Sequence, residues 1–123
     1  MLAFGLHLLT EIDWLIAMWQ PFLLSVLAGA MGVNAVPHFV KGVVGEPFPN
    51  VWGNSPLRNA VAGVLGLVIA VLLGYWAELP GHFWAGLAGA GIGALAMAVF
   101  HGAGGAYRLN AALGLPNPPR VAR

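Results

Sequence analysis

Between Arg58 and Arg108 the chain carries a single charged residue, Glu78, within Glu78-Leu79-Pro80-Gly81. The runs on either side, residues 59–77 and 82–107, are apolar and long enough to cross a bilayer. A hydrocarbon core about 30 Å thick takes roughly 20 helical residues at about 1.5 Å each. The pattern predicts a membrane-embedded helical hairpin that turns at Pro80-Gly81, with Glu78 a solvated turn residue. A water-facing surface cannot be assembled from this inventory: 7% of residues are charged and 59% hydrophobic, whereas soluble domains carry about 25% charged residues.

A third span is expected upstream, because no charge falls between Asp13 and Lys41. Residues 14–36 form the candidate, with Pro37 as its stop through the lost amide donor and the bias it places on Val36. Pro21 lies near its start and is expected to kink or break the helix. Residues 1–19 would then lie along the membrane interface rather than cross it, since a span there would bury Glu11 and Asp13, and a buried Asp alone costs about 2.5–3.5 kcal/mol. A cleaved secretory signal is not expected, because the region before Ala28-Gly29-Ala30 has acids and no Lys or Arg. The predicted class is an all-α membrane protein of one domain. It has three transmembrane helices (about 14–36, 57–77 and 82–106), a structured 37–56 loop and an extended cytoplasmic tail over 108–123.

Three spans put Lys41, Arg58, Arg108, Arg120 and Arg123 on one side with Glu46. Glu11, Asp13 and Glu78 fall on the other. By the positive-inside rule the N-terminus is outside and the C-terminus cytoplasmic, in an inner cell membrane. Four spans would also keep the basic residues together. The burial of Glu11 and Asp13 argues against that count.

Small residues recur at helical spacing. Ala62, Gly66, Ala70 and Gly74 share a face of the second span. The third carries Gly86, Ala90, Ala94, Ala98 and Gly102, with a neighbouring stripe of Gly89 and Gly93. Such ridges let backbones approach closely in lipid. The second helix is expected to pack on the third, leaving a second face of the third for another protomer or a partner membrane subunit.

The segment 37–56 has four prolines and three glycines, yet also Phe39, Phe48, Val51 and Trp52. It reads as a structured loop, not a solvated linker. Ser55-Pro56 suits a helix start, with Ser as cap and Pro in the first turn. Asn34, His38, Asn59 and His101 fall at similar depth near the cytoplasmic ends of the spans. Intramembrane polar groups are candidates for ligand binding, and His suits metal, haem or proton transfer. Plain hydrogen bonding between helices accounts for the same residues.

The run from Asn34 to Pro49, with Ser55-Pro56 and Asn59, resembles a pattern in small bacterial multi-span membrane proteins of uncharacterised function. It covers about a quarter of the chain. The resemblance implies a fold and a focus on the His38-Phe39-x-x-Gly42 segment, and no chemistry. The acidic, apolar N-terminus is not part of it.

No catalytic constellation is present: no paired carboxylates, no Gly-x-Ser-x-Gly, no His-Glu-x-x-His and no phosphate loop. The absence of cysteine removes thiolate chemistry, and a net charge of +1 offers no footprint for nucleic acid. The first expectation is a non-enzymatic accessory or assembly subunit, partnered by lipid and by a second copy or another subunit. A membrane-embedded binding protein for a lipid, quinone, metal or haem comes second, and a small homo-oligomeric carrier or pore third. No particular cofactor is implied.

Overall fold

The computed structural model describes residues 2–120. They form four helices, and no strand occurs among them: α1 (Leu2–Val43), α2 (Pro56–Trp76), α3 (Phe83–Gly102) and α4 (Gly105–Ala112). Three segments are long and apolar enough to cross a membrane, namely Thr10–Val43, Pro56–Trp76 and Phe83–Gly102. The start of α2 follows the local chemistry. Ser55 Oγ accepts from Arg58 N at 3.4 Å, and Pro56 occupies the first turn, where its missing N–H has no intrahelical role. At the other end α2 and α3 are joined through residues 77–82. Glu78, exposed, takes φ 50° there and accepts from Gly81 N at 2.9 Å.

The first helix departs from expectation. It is neither broken at Pro21 nor stopped at Pro37; both prolines lie inside one helix of 42 residues, about 63 Å long. Residues 37–43 are therefore helix, and the loop proper begins at Val44. Each internal proline removes one hydrogen bond and leaves one carbonyl free. Unwinding the helix would free several more N–H and C=O groups, which is the worse choice where water is absent. Near the first proline, Ser25 Oγ donates to the Pro21 carbonyl at 2.7 Å and is itself fully buried.

The helix pairing also differs from expectation. α2 and α3 each pack along α1, and no Cα of α2 comes within 8 Å of one of α3. Much of the small-residue surface of both helices faces α1. Ala35 lies against Gly66, where an added Cβ would stand 2.8 Å from the Ala35 Cβ, and Gly32 faces Ala70. Gly63 touches the Phe39 backbone, with 2.5 Å left for a Cβ. On the other side Gly89 meets the Phe22 carbonyl, and Gly93 meets the backbone of Val26 and Ala30. Gly74 and Gly86 instead make room for Leu79 from the turn. Both hairpin helices can choose α1 because it brings small residues of its own, Gly29 against Ala90 and Gly42 against Ala60. From these contacts α2 runs antiparallel to α1 and α3 parallel to it.

The distribution of polarity is inverted relative to a water-soluble domain. The buried hydrophobic residues are alanines (Ala35, Ala77 and Ala106), and the largest fully buried side chains are Asn59, Asn110, Pro49 and Ser25. Outward stand Leu57, Val71, Tyr75 and Trp84, each at least 72% exposed. A small-residue core with polar fastenings and a bulky apolar exterior is what a hydrocarbon solvent selects.

The C-terminal segment is not the extended tail that its prolines suggested. Residues 105–112 form α4, and 113–120 fold back over the loop. Asn54 Nδ2 and Asn110 Nδ2 both donate to the Pro116 carbonyl (2.7 and 3.2 Å), and Asn117 Nδ2 donates to the Tyr107 carbonyl at 2.9 Å. Residues 121–123 lie outside the described part. Asn110→Ala deletes one of the two donors to Pro116 and a bond to Asn54 Oδ1. It should cost about 1–2 kcal/mol locally. Amide hydrogen exchange over residues 113–119 should accelerate, while protection within α1–α3 stays as in the parent chain.

Candidate functional site

All six asparagines of the sequence lie in or beside one end of the bundle, the end that carries α4. Four basic residues, Lys41, Arg58, Arg108 and Arg120, are at that end too, and Glu78 is at the other. The four residues singled out from sequence, Asn34, His38, Asn59 and His101, come together there from three different helices.

Asn59, in the first turn of α2 and fully buried, is the hub. Its Nδ2 faces three backbone carbonyls, Phe48 (2.9 Å), Asn54 (3.1 Å) and Ser55 (3.0 Å). That orientation points Oδ1 at His38, whose Nδ1 donates to it at 2.7 Å; Asn50 Nδ2 adds a longer contact of 3.5 Å. Since Oδ1 is an acceptor only, the proton of neutral His38 is on Nδ1 and Nε2 carries the lone pair. His38 Nε2 makes no hydrogen bond among the described residues and is not occluded.

His101, one turn from the end of α3, is held by Asn34 of α1, with Nε2 and Oδ1 3.0 Å apart. Donation from Nε2 leaves Nδ1 as a bare lone pair, and this nitrogen is buried without a partner. The two imidazoles meet edge to face with centroids 5.9 Å apart, and Phe48 packs on both, at 5.2 Å from His38 and 5.9 Å from His101. Each histidine thus spends its one proton on an amide carbonyl and keeps one acceptor nitrogen. Of the two, His38 Nε2 can receive a hydrogen bond from an O–H or N–H group, whereas His101 Nδ1 is enclosed by the protein. As a metal site the pair offers two nitrogens at most, and among the described residues no three His, Asp or Glu side chains gather to hold an ion.

With the backbones of α2 and α3 held apart, a cleft of about 320 Å³ opens between them at this end, floored by α1. Met31, Leu65, Ile69 and Phe100 make its apolar walls, and Asn34, His38, Asn50, His101 and Asn110 supply polar groups without any formal charge. The loop residues Pro49–Trp52 and α4 close one end of it.

Sequence reasoning missed Asn50, Asn54 and Asn110. Asn54 Oδ1 accepts from Asn50 N at 3.1 Å and from Asn110 Nδ2 at 3.3 Å, and Asn50 Oδ1 accepts from Trp52 N at 3.0 Å. They lock the loop to α4. A signal was present: no asparagine occurs before residue 34 or between 60 and 109, so the type is confined to segments that meet at one end. The expected packing residues Gly66, Ala70, Gly74, Gly89 and Gly93 lie outside this cluster along the helix contacts, except that Gly66 also borders the cleft.

No protein-family model, curated protein or solved structure matches the chain.

Proposed function

We propose that the chain is a membrane-embedded binding protein for an uncharged amphipathic molecule. In this reading α1–α3 cross an inner cell membrane with the N-terminus outside and the α4 end in the cytoplasm. The basic residues gathered at that end support this orientation. The apolar body of the ligand lies in the cleft between α2 and α3, and a hydroxyl or N–H of its head donates to His38 Nε2. The observation that carries the reading is the cleft itself: two hairpin helices held apart by α1, with neutral acceptors at one end of an apolar trough of about 320 Å³. Such a composition, mostly apolar with a few convergent polar groups, is that of small-molecule sites.

The reading is placed ahead of the accessory-subunit expectation because several of the small residues that supported docking, Gly66, Gly89 and Gly93 among them, face α1 instead. One observation still favours an accessory role as the second reading. Every side chain from Thr10 to Gln20 is exposed, including Ile12, Trp14, Ile16, Met18 and Trp19. A partner subunit or second copy would cover them.

Native mass spectrometry of the protein extracted in mild detergent from its own membrane separates the two. A small-molecule adduct is expected, retained by the parent chain and lost in His38→Phe. It should also be lost in Ile69→Trp, which fills the cleft from a position 44% exposed. A bare chain would overturn the reading. A second polypeptide without any adduct would replace it with the accessory role.

A further inference from the structure

On the other side of His101 lies a larger cavity, of about 580 Å³, whose chemistry differs from that of the cleft. Two cations reach it from distant parts of the sequence, Lys41 in the last turn of α1 and Arg120 from the folded-back segment. Tyr107, Phe48 and the backbone break Gly102-Ala103-Gly104 also line it. We propose that this cavity is a binding site for a phosphate ester, carried either by an anionic lipid headgroup or by a soluble phosphate compound.

The placement of Arg120 is constructed. The carbonyls of Pro116 and Tyr107 receive three Asn amides, and this brings the guanidinium carbon to 4.7 Å from the centroid of the Tyr107 ring. Stacked on that face, an arginine keeps its N–H edge free to fork two phosphate oxygens. Lys41 is paired with Glu46, the only carboxylate in the lining. That pair is solvent-exposed on both sides, 40% and 51%, and is correspondingly weak. The other three acids, Glu11, Asp13 and Glu78, are not in the lining. Counting Lys41, Arg120 and Glu46 with His101 neutral, the lining carries one net positive charge. Behind it α4 begins at Gly105, preceded by Gly104 (φ 75°) with no side-chain cap and with no acid in the first turn, so the positive end of its dipole is not cancelled locally. The site does not depend on the reading of the cleft.

The test uses the full chain in phosphatidylcholine nanodiscs, titrated by calorimetry with inorganic phosphate and, separately, with short-chain phosphatidic acid. Saturable binding that weakens with added salt is expected. Arg120→Gln and Lys41→Gln should each weaken it about tenfold, the effect of losing one charge-assisted contact. Glu46→Gln should tighten it by releasing Lys41, a gain that no purely structural role of these residues produces. Binding of both probes assigns the site to the phosphate group itself, and binding of phosphatidic acid alone assigns it to a lipid headgroup. Unchanged affinity in Arg120→Gln and Lys41→Gln, with melting temperatures equal to the parent, would sink the proposal. So would the absence of saturable binding by either probe.

Discussion

Gly93→Leu should abolish the folded bundle, whereas Gly91→Leu two residues away should leave it intact. Intrinsic helix propensity points the same way at both sites: leucine gains several tenths of a kcal/mol over glycine in a helix interior. The surroundings decide. A Cβ on Gly93 would run into the Val26 carbonyl and stand 2.9 Å from Ala30 N, so the obstacle is the backbone of α1, which cannot rotate away as a side chain can. At Gly91 nothing lies within 4 Å. Overpacking alone costs about 1–3 kcal/mol, and a backbone collision along a helix seam exceeds the upper figure because the seam must open. The expectation for Gly93→Leu is therefore a loss above about 3 kcal/mol, enough to remove the cooperative melting transition in detergent. Gly91→Leu should melt within about 0.5 kcal/mol of the parent. Equal melting of the two variants would mean that α3 does not seat on α1 through this face.

The second large effect is expected at Asn59. Truncation to Ala leaves the His38 Nδ1–H and the Phe48 carbonyl without the partners they have now. The other two carbonyls are better protected, since Ser55 O keeps the Asn59 amide and Asn54 O keeps the Phe48 amide. One or two stranded buried polar groups at about 1–3 kcal/mol each, plus a small cavity, give an expected loss of about 2–4 kcal/mol. Asn59→Asp keeps the shape but aims a carboxylate oxygen at three carbonyls, and it should be worse than Ala despite being the smaller change in volume. Thermal unfolding of the two variants in one detergent tests that order. If Asp melts above Ala, Nδ2 does not face the backbone as described. Asn59→Ala should also lose any cleft ligand, because His38 would no longer be held in the Nδ1–H form.

How much of this was legible beforehand follows the range of each interaction. Hydropathy is a local quantity, so the two uncharged runs flanking Glu78 announced two helices on their own. Ser55-Pro56 likewise announced where the first of them starts, because a cap acts within one turn. The shared depth of Asn34, His38, Asn59 and His101 was legible too, since depth follows from counting residues along straight helices of known rise. The contacts were not. A stripe such as Gly66, Ala70 and Gly74 suits any helix that brings small residues of its own, and nothing in it distinguishes α3 from α1. The choice fell to α1 through Gly29, Gly32, Ala35 and Gly42, which only the folded packing sets opposite the other stripes. A break at Pro21 and a stop at Pro37 were misjudged for a similar reason. Their penalty is intrinsic, but the alternative they were weighed against, unwinding, is far more costly where no water can receive the freed amides. Legible from the residues alone, therefore, were three helices long and apolar enough to cross a membrane and the end of the molecule that is polar. The tertiary structure alone decided that α1 is the axis, that α2 and α3 stand apart and that a cleft lies between them, because those outcomes depend on which backbones can approach within van der Waals distance.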